Sequence, residues 1–216
     1  MILSQGRRYL FVHAPKTGGT ALMLALEARA MKDDLIVGDT PKARARRRRL
    51  AGLTPRGRLW KHSTLADLDG ILPDGGQGLF VLTLVRNPWD RMVSYYHWLR
   101  GQRFAHPAVA LAQRVEFAAF LRDPATQGSM ANWPYAAWVR QPDGQERCDL
   151  FVRLEHLDSD LAPFEAHLGL RLAPVARANA SNRARDWRVF YDDDTAGIVA
   201  RLCAPDIARF GYRFDP

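Results

Sequence analysis

Cysteine is nearly missing from this chain. Among its 216 residues only Cys148 and Cys203 occur, in unrelated contexts, which excludes a disulfide framework and cysteine-based metal spacing. No apolar stretch approaches the ~20 residues of a membrane span, and Met1 to Arg8 lacks the apolar core of a signal peptide. A cytoplasmic protein in a reducing compartment is therefore expected, with peripheral membrane contact left open. Lysine is scarce too: Lys16, Lys32, Lys42 and Lys61 are the only lysines among 31 basic residues. Where arginine is the ordinary cation, a lysine beside a chemical motif suggests that a compact ammonium is wanted there. Internal repeats and an inter-domain linker are also absent. With 47% hydrophobic and 25% charged residues, the chain reads as one globular domain over 1–216.

What is present begins at Tyr9-Leu-Phe-Val-His-Ala-Pro-Lys-Thr-Gly-Gly-Thr20, followed by Ala21-Leu-Met-Leu-Ala-Leu-Glu-Ala28. This reads as a buried strand, a tight glycine loop and a helix. Amides at a helix N-terminus are unpaired, and the helix dipole favours negative charge there. Pro15, Lys16, Thr17, Gly18, Gly19 and Thr20 thus form a candidate cradle for phosphate or a phosphate-like group. The ATP-binding pattern places its lysine after the glycines, whereas Lys16 precedes Gly18 and Gly19.

A second element starts with the continuous apolar run Gly78 to Val85, of the kind found in the middle of a parallel sheet. It leads into Arg86-Asn87-Pro88-Trp89-Asp90-Arg91-Met92-Val93-Ser94. Asn87 can cap a helix and Pro88 suits its first position. Arg86 falls at the carboxyl end of the strand, where open α/β sheets place ligands. A planar guanidinium and the Ser94 hydroxyl can grip a terminal phosphate.

The two elements, in this order, resemble the donor-binding motifs of sulfotransferases that use 3′-phosphoadenosine-5′-phosphosulfate (PAPS). The resemblance implies that residues 15–20 hold the 5′-phosphosulfate and that Arg86 and Ser94 hold the 3′-phosphate. It extends over nearly the whole chain and is weakest at 32–57. It includes Arg153, Glu155 and Leu157, read as largely structural. It also includes a basic segment from Asn179 to Arg188, in which Arg183, Arg185 and Arg188 are candidates for the 3′-phosphate or the acceptor, Arg183 foremost. The closing Asp206 to Tyr212 is similar to the family's carboxyl terminus.

Leu59-Trp-Lys-His62-Ser63-Thr64-Leu65 looks like a short strand ending in His62, with Ser63 or Thr64 capping a helix through Leu68. A neutral imidazole suits removal of a proton from a hydroxyl. Some carbohydrate sulfotransferases resembling this chain carry a histidine in such a segment as general base, which makes His62 the candidate catalytic base beside Lys16. A capping or partly buried structural histidine is the competing reading. His13 is expected to pack beneath the loop, and His97 could face the pocket.

The net charge of +8 is unevenly placed, with six cations in Lys42 to Arg49. An exposed loop or short helix is expected there. It could be a solvated segment, a clamp for an anionic acceptor or a membrane contact. Nucleic acid is disfavoured, since no aromatics interleave the arginines. A helix is expected over 108–121. Trp133, Tyr135 and Trp138 either wall a sugar or adenine site or pack in the core.

The expected fold is α/β, a three-layer sandwich with a mainly parallel central sheet resembling that of P-loop NTPases. Its strands lie near 8–13, 58–62, 79–85 and 149–154. The expected reaction is sulfuryl transfer from PAPS, as co-substrate, to a hydroxyl acceptor of carbohydrate type, with no metal. An ATP-dependent kinase of P-loop type and a polyanion-binding module built on the arginine run are the alternatives.

Overall fold

The structure is a computed structural model and describes residues 1–172, 175 and 183–215. The strands are β1 (Ile2–Ser4), β2 (Tyr9–Val12), β3 (Leu35–Ile36), β4 (Phe80–Val85) and β5 (Leu150–Arg153). The helices are α1 (Gly19–Ala28), α2 (Pro41–Ala45), α3 (Pro88–Arg100), α4 (Pro107–Arg114), α5 (Phe117–Arg122), α6 (Pro124–Asn132), α7 (Tyr135–Trp138), α8 (Leu157–Asp160), α9 (Ala162–Leu168), α10 (Asp193–Leu202) and α11 (Ala204–Phe210). They fall into two compact units, each built from two separated stretches of chain: 1–85 with 135–179, and 86–134 with 180–216.

The first unit holds one sheet, ordered β3-β1-β2-β4-β5. Its centre is parallel, with Tyr9 opposite Phe80 and Leu82 opposite Leu150. Every residue of β2 and all of β4 after Phe80 are buried, which is why both read as unbroken apolar runs. One face of the sheet presents Tyr9, Phe11, Leu82, Leu84 and Val152. Leu22, Met23 and Leu26 of α1 and Phe164 of α9 share their hydrophobic cluster. Each of these side chains contributes on the order of 2 kcal/mol by leaving water. The α/β class read from the sequence holds, and the three longer strands lie where they were expected.

The structure overturns the strand expected at 58–62. Trp60 lies in a bend, and Lys61 and His62 form a turn. Ser63 is the cause: its buried hydroxyl donates toward the carbonyls of Arg58 (2.7 Å) and Trp60 (2.9 Å) and accepts from the Trp60 amide (2.9 Å). A hydroxyl that closes a local turn competes with strand pairing. Thr64 and Asp67 then exchange hydrogen bonds around a 3-10 turn at Ala66–Leu68. The edge of the sheet is antiparallel instead, through β1 and β3, which pair two and three residues at a time. Such short pairings leave little periodicity in a sequence.

In the second unit α3 begins as its sequence implies. The Asn87 side chain accepts from the Trp89 amide at 3.1 Å, and Pro88 takes the first helical position. Trp89, Met92, Val93, Tyr96 and Leu99 of α3 share a core with Val109, Phe117, Phe120, Ile198 and Val199. The helix expected over 108–121 is broken in two at Val115 and Glu116. Asp192 and Thr195 form a capping box at the start of α10.

Candidate anion-binding and catalytic site

The first unit carries the glycine loop. Lys16 has φ 67° and Gly18 φ 79°, while Thr17 between them is not left-handed. Alternating backbone handedness turns consecutive amides toward one side and makes an anion-binding concavity. Non-glycine residues rarely adopt this conformation, so Lys16 is held in a strained position. Gly18 is the N-cap of α1 and offers no side-chain cap, and the first turn of α1 holds no acidic residue. The first turn itself thus supplies no carboxylate to the positive end of that helix.

Packing beneath the loop explains its residue types. A Cβ on Gly19 would meet the His13 ring at 2.3 Å, and one on Gly18 would meet Leu154 at 2.6 Å. The glycines are thus required by the protein's own packing as well as by the loop's shape. The Thr17 hydroxyl is fully buried and donates to the Ala14 carbonyl at 2.8 Å, leaving its amide as the group that could face a ligand. Pro15, Lys16, Gly18 and Thr20 are partly exposed.

His62 lies in the same unit. Its Nδ1 is 2.7 Å from the His13 carbonyl oxygen. A carbonyl can only accept, so Nδ1 carries the proton and the neutral ring keeps its lone pair on Nε2. The ring is held edge-on by His13 (4.6 Å between centroids) and Trp60 (5.1 Å). Burial pulls its pKa down to about 4; the bond to the His13 carbonyl raises it in part, and the Lys61 charge lowers it further. Lys61 itself binds Asp39 at 2.6 Å and holds that carboxyl below the usual carboxylate range. His13 is buried beneath the loop as expected, and burial pushes its pKa well below the usual histidine range. The arrangement offers a neutral imidazole of defined tautomer at physiological pH.

The second unit gathers Arg86, Asp90, Ser94 and Arg183. Arg86 donates to Asp90 Oδ2 from Nε at 2.8 Å and from Nη2 at 2.7 Å. Arg183 forms a close ion pair with the other oxygen, Asp90 Oδ1. The three side chains are only 14%, 16% and 9% exposed, in the order Arg86, Asp90, Arg183. Ser94 is buried one turn beyond Asp90 on α3, and residues four apart share a helix face. His97, three residues further on, packs edge-on against Phe190, and its Nε2 is buried without a hydrogen-bond partner among the described residues. Burial lowers its pKa, and the Arg183 charge adds to that.

Of the three candidate arginines in the basic segment, Arg183 alone is seen to join this cluster. Arg188 pairs with Asp186 at 2.7 Å and lies over Trp187, and Arg185 is exposed. Asn179 to Asn182 lie outside the described residues. Asp90 was not anticipated as a site residue, although its position four after Arg86 was a readable ion-pair signal. Arg153 is held by Asp160 through two side-chain bonds of 2.8 and 3.0 Å, a structural role. Tyr135 and Trp138 are buried, which favours their core reading, while Trp133 is exposed. Among the described residues no group of histidine, cysteine or carboxylate side chains is arranged to hold a metal ion. Among the described residues no helix is long and apolar enough to cross a membrane.

No protein-family model matches the chain, and neither does any curated protein. Among solved structures, the chain is similar to that of a mouse sulfotransferase, SULT7A1, complexed with PAP. The two are 17% identical with a TM-score of 0.48, over 95% of this chain and 85% of that chain.

Proposed function

We propose that the chain transfers a sulfuryl group from PAPS to a hydroxyl, with a carbohydrate as the acceptor class and residues 1–216 acting as one domain. The observation that carries this reading is the Lys16–Gly18 loop, whose alternating handedness opens a helix free of acidic residues in its first turn. The order and spacing of the Arg86–Ser94 motif support it, as does the clustering of Arg183 with Arg86 around Asp90.

In this reading Lys16 and the amides of Thr17 to Thr20 neutralise the charge that grows on the departing 5′-phosphate. Arg86, Ser94 and Arg183 hold the donor's 3′-phosphate. His62 Nε2 takes the acceptor proton as its oxygen attacks sulfur, and the His13 carbonyl stabilises the imidazolium through Nδ1–H. Sulfuryl transfer is treated by analogy with in-line phosphoryl transfer, where positioning and charge stabilisation do most of the work. A pKa of about 4 makes His62 a weak base in the free protein. The anionic phosphosulfate of a bound donor would raise it.

The test is release of adenosine 3′,5′-bisphosphate from PAPS on adding a panel of carbohydrate and small hydroxyl acceptors. Acceptor-dependent release that disappears in His62→Ala, with donor binding retained, is expected. ATP hydrolysis or transfer requiring magnesium would favour the kinase reading instead.

A further inference from the structure

The arginine run is not used by this chemistry, and only part of it is free to act elsewhere. Thr40 caps α2 by accepting from the Ala43 amide at 3.2 Å, and a 3-10 turn at Arg47–Leu50 follows. Lys42 donates to the Glu27 carbonyl at 2.5 Å, and Arg46 to the Met31 carbonyl at 2.8 Å. Arg49 donates to the Lys32 carbonyl. The Glu27 carbonyl lies in the last turn of α1, where carbonyls attract cations, and Met31 and Lys32 follow that helix, so these bonds fix the run beside its end. The result is an ordered ridge.

Arg44, Arg47 and Arg48 remain exposed on that ridge, and Arg29 and Lys32 are exposed on the segment to which it is tied. Residues 29–49 carry eight cations against Asp33, Asp34 and Asp39. Asp34 is buried on the Met31 amide, Asp39 is paired with Lys61 and Asp33 is exposed, so the eight cations remain in clear excess over three carboxylates. Two large apolar side chains, Leu24 in the second half of α1 and Met31 just beyond its end, are each 42% exposed. No aromatic residue occurs between Phe11 and Trp60.

We propose that this ridge, with Leu24 and Met31, is a docking surface for an anionic lipid membrane. Guanidinium groups match phosphate headgroups, and aliphatic side chains beside a cationic cluster can enter the headgroup boundary. A sugar chain would call for aromatic faces on which its rings stack, and the segment has none.

Sedimentation with phosphatidylcholine vesicles, with and without an equal share of phosphatidylserine, tests it on the full chain. The protein should sediment only with the serine-lipid vesicles and be released by raised salt. The double variant Arg47→Glu, Arg48→Glu should bind roughly 30-fold more weakly. Its circular dichroism should be unchanged, since both side chains are exposed. Leu24→Ser with Met31→Ser should weaken binding and leave it salt-sensitive. Equal binding to both vesicle types, or to wild type and a folded Arg47/Arg48 variant, would overturn the proposal. So would capture by soluble heparin without vesicle binding, or displacement by millimolar inorganic phosphate. If the charge-reversed variant fails to fold, the lipid and salt dependence of the wild-type chain decides alone.

Discussion

Asp90 joins two arginines: Arg86 binds one carboxylate oxygen at 2.8 Å, and Arg183 pairs with the other. All three side chains are largely withdrawn from water. Removing one member of such a group leaves uncompensated buried charge. Asp90→Ala should therefore cost about 3 kcal/mol of stability. A bound 3′-phosphate would replace the lost anion, so adenosine 3′,5′-bisphosphate should raise the melting temperature of the variant more than that of the wild type. Thermal unfolding with and without the bisphosphate checks this. A smaller shift in the variant would mean that the arginines do not face the nucleotide.

Lys16 separates strain from chemistry. Its left-handed backbone costs on the order of 1 kcal/mol in an L-residue and nothing in glycine. Lys16→Gly should be at least as stable as wild type in urea, yet lose 100-fold or more in turnover as a charged contact to the leaving phosphate disappears. A variant that keeps full turnover would remove Lys16 from the reaction.

Gly19 is a steric position. The His13 ring lies where a Cβ would go, and the ring is buried and packed between Phe11 and His62. Gly19→Ala should destabilise the fold by about 2 kcal/mol, measured by urea denaturation. A neutral result would show that the ring can move aside.

His62 makes stability depend on pH. Its pKa falls from an ordinary 6.5 to about 4 on folding, so between those values the unfolded chain binds more protons than the folded one. Its contribution is therefore complete above about pH 6.5 and is lost as pH falls toward 4. The magnitude is of order 3 kcal/mol over the full window. Depressed protonation of buried His13 acts in the same direction. Urea denaturation at pH 7 and pH 5 should show the loss, and His62→Gln should flatten the profile. A steeper profile in His62→Gln would contradict the buried neutral state.

The parts legible in the sequence are those in which one residue type has one physical job. The apolar runs of β2 and β4, the Asn87–Pro88 start of α3 and the close packing of His13 beneath the loop all belong here. The turn at Trp60 to Ser63 was hidden because one serine hydroxyl outweighs the apparent strand pattern of Leu59 to His62. The antiparallel edge was hidden because β1 and β3 are too short to show a period. The Arg86–Asp90–Arg183 cluster was half legible: its helical pair is a four-residue spacing, but Arg183 reaches it from 93 positions away. The arginine run concealed a division of labour, since only the fold shows which of its cations hold α1 and which face outward.

Whether this chain binds the desulfated donor product is decided by calorimetric titration with adenosine 3′,5′-bisphosphate, beside ATP with and without magnesium. Micromolar binding of the bisphosphate that needs no metal and weakens at least tenfold in Arg86→Ala is expected. No bisphosphate binding, together with magnesium-dependent binding of ATP, would contradict it and point to a kinase-like nucleotide enzyme.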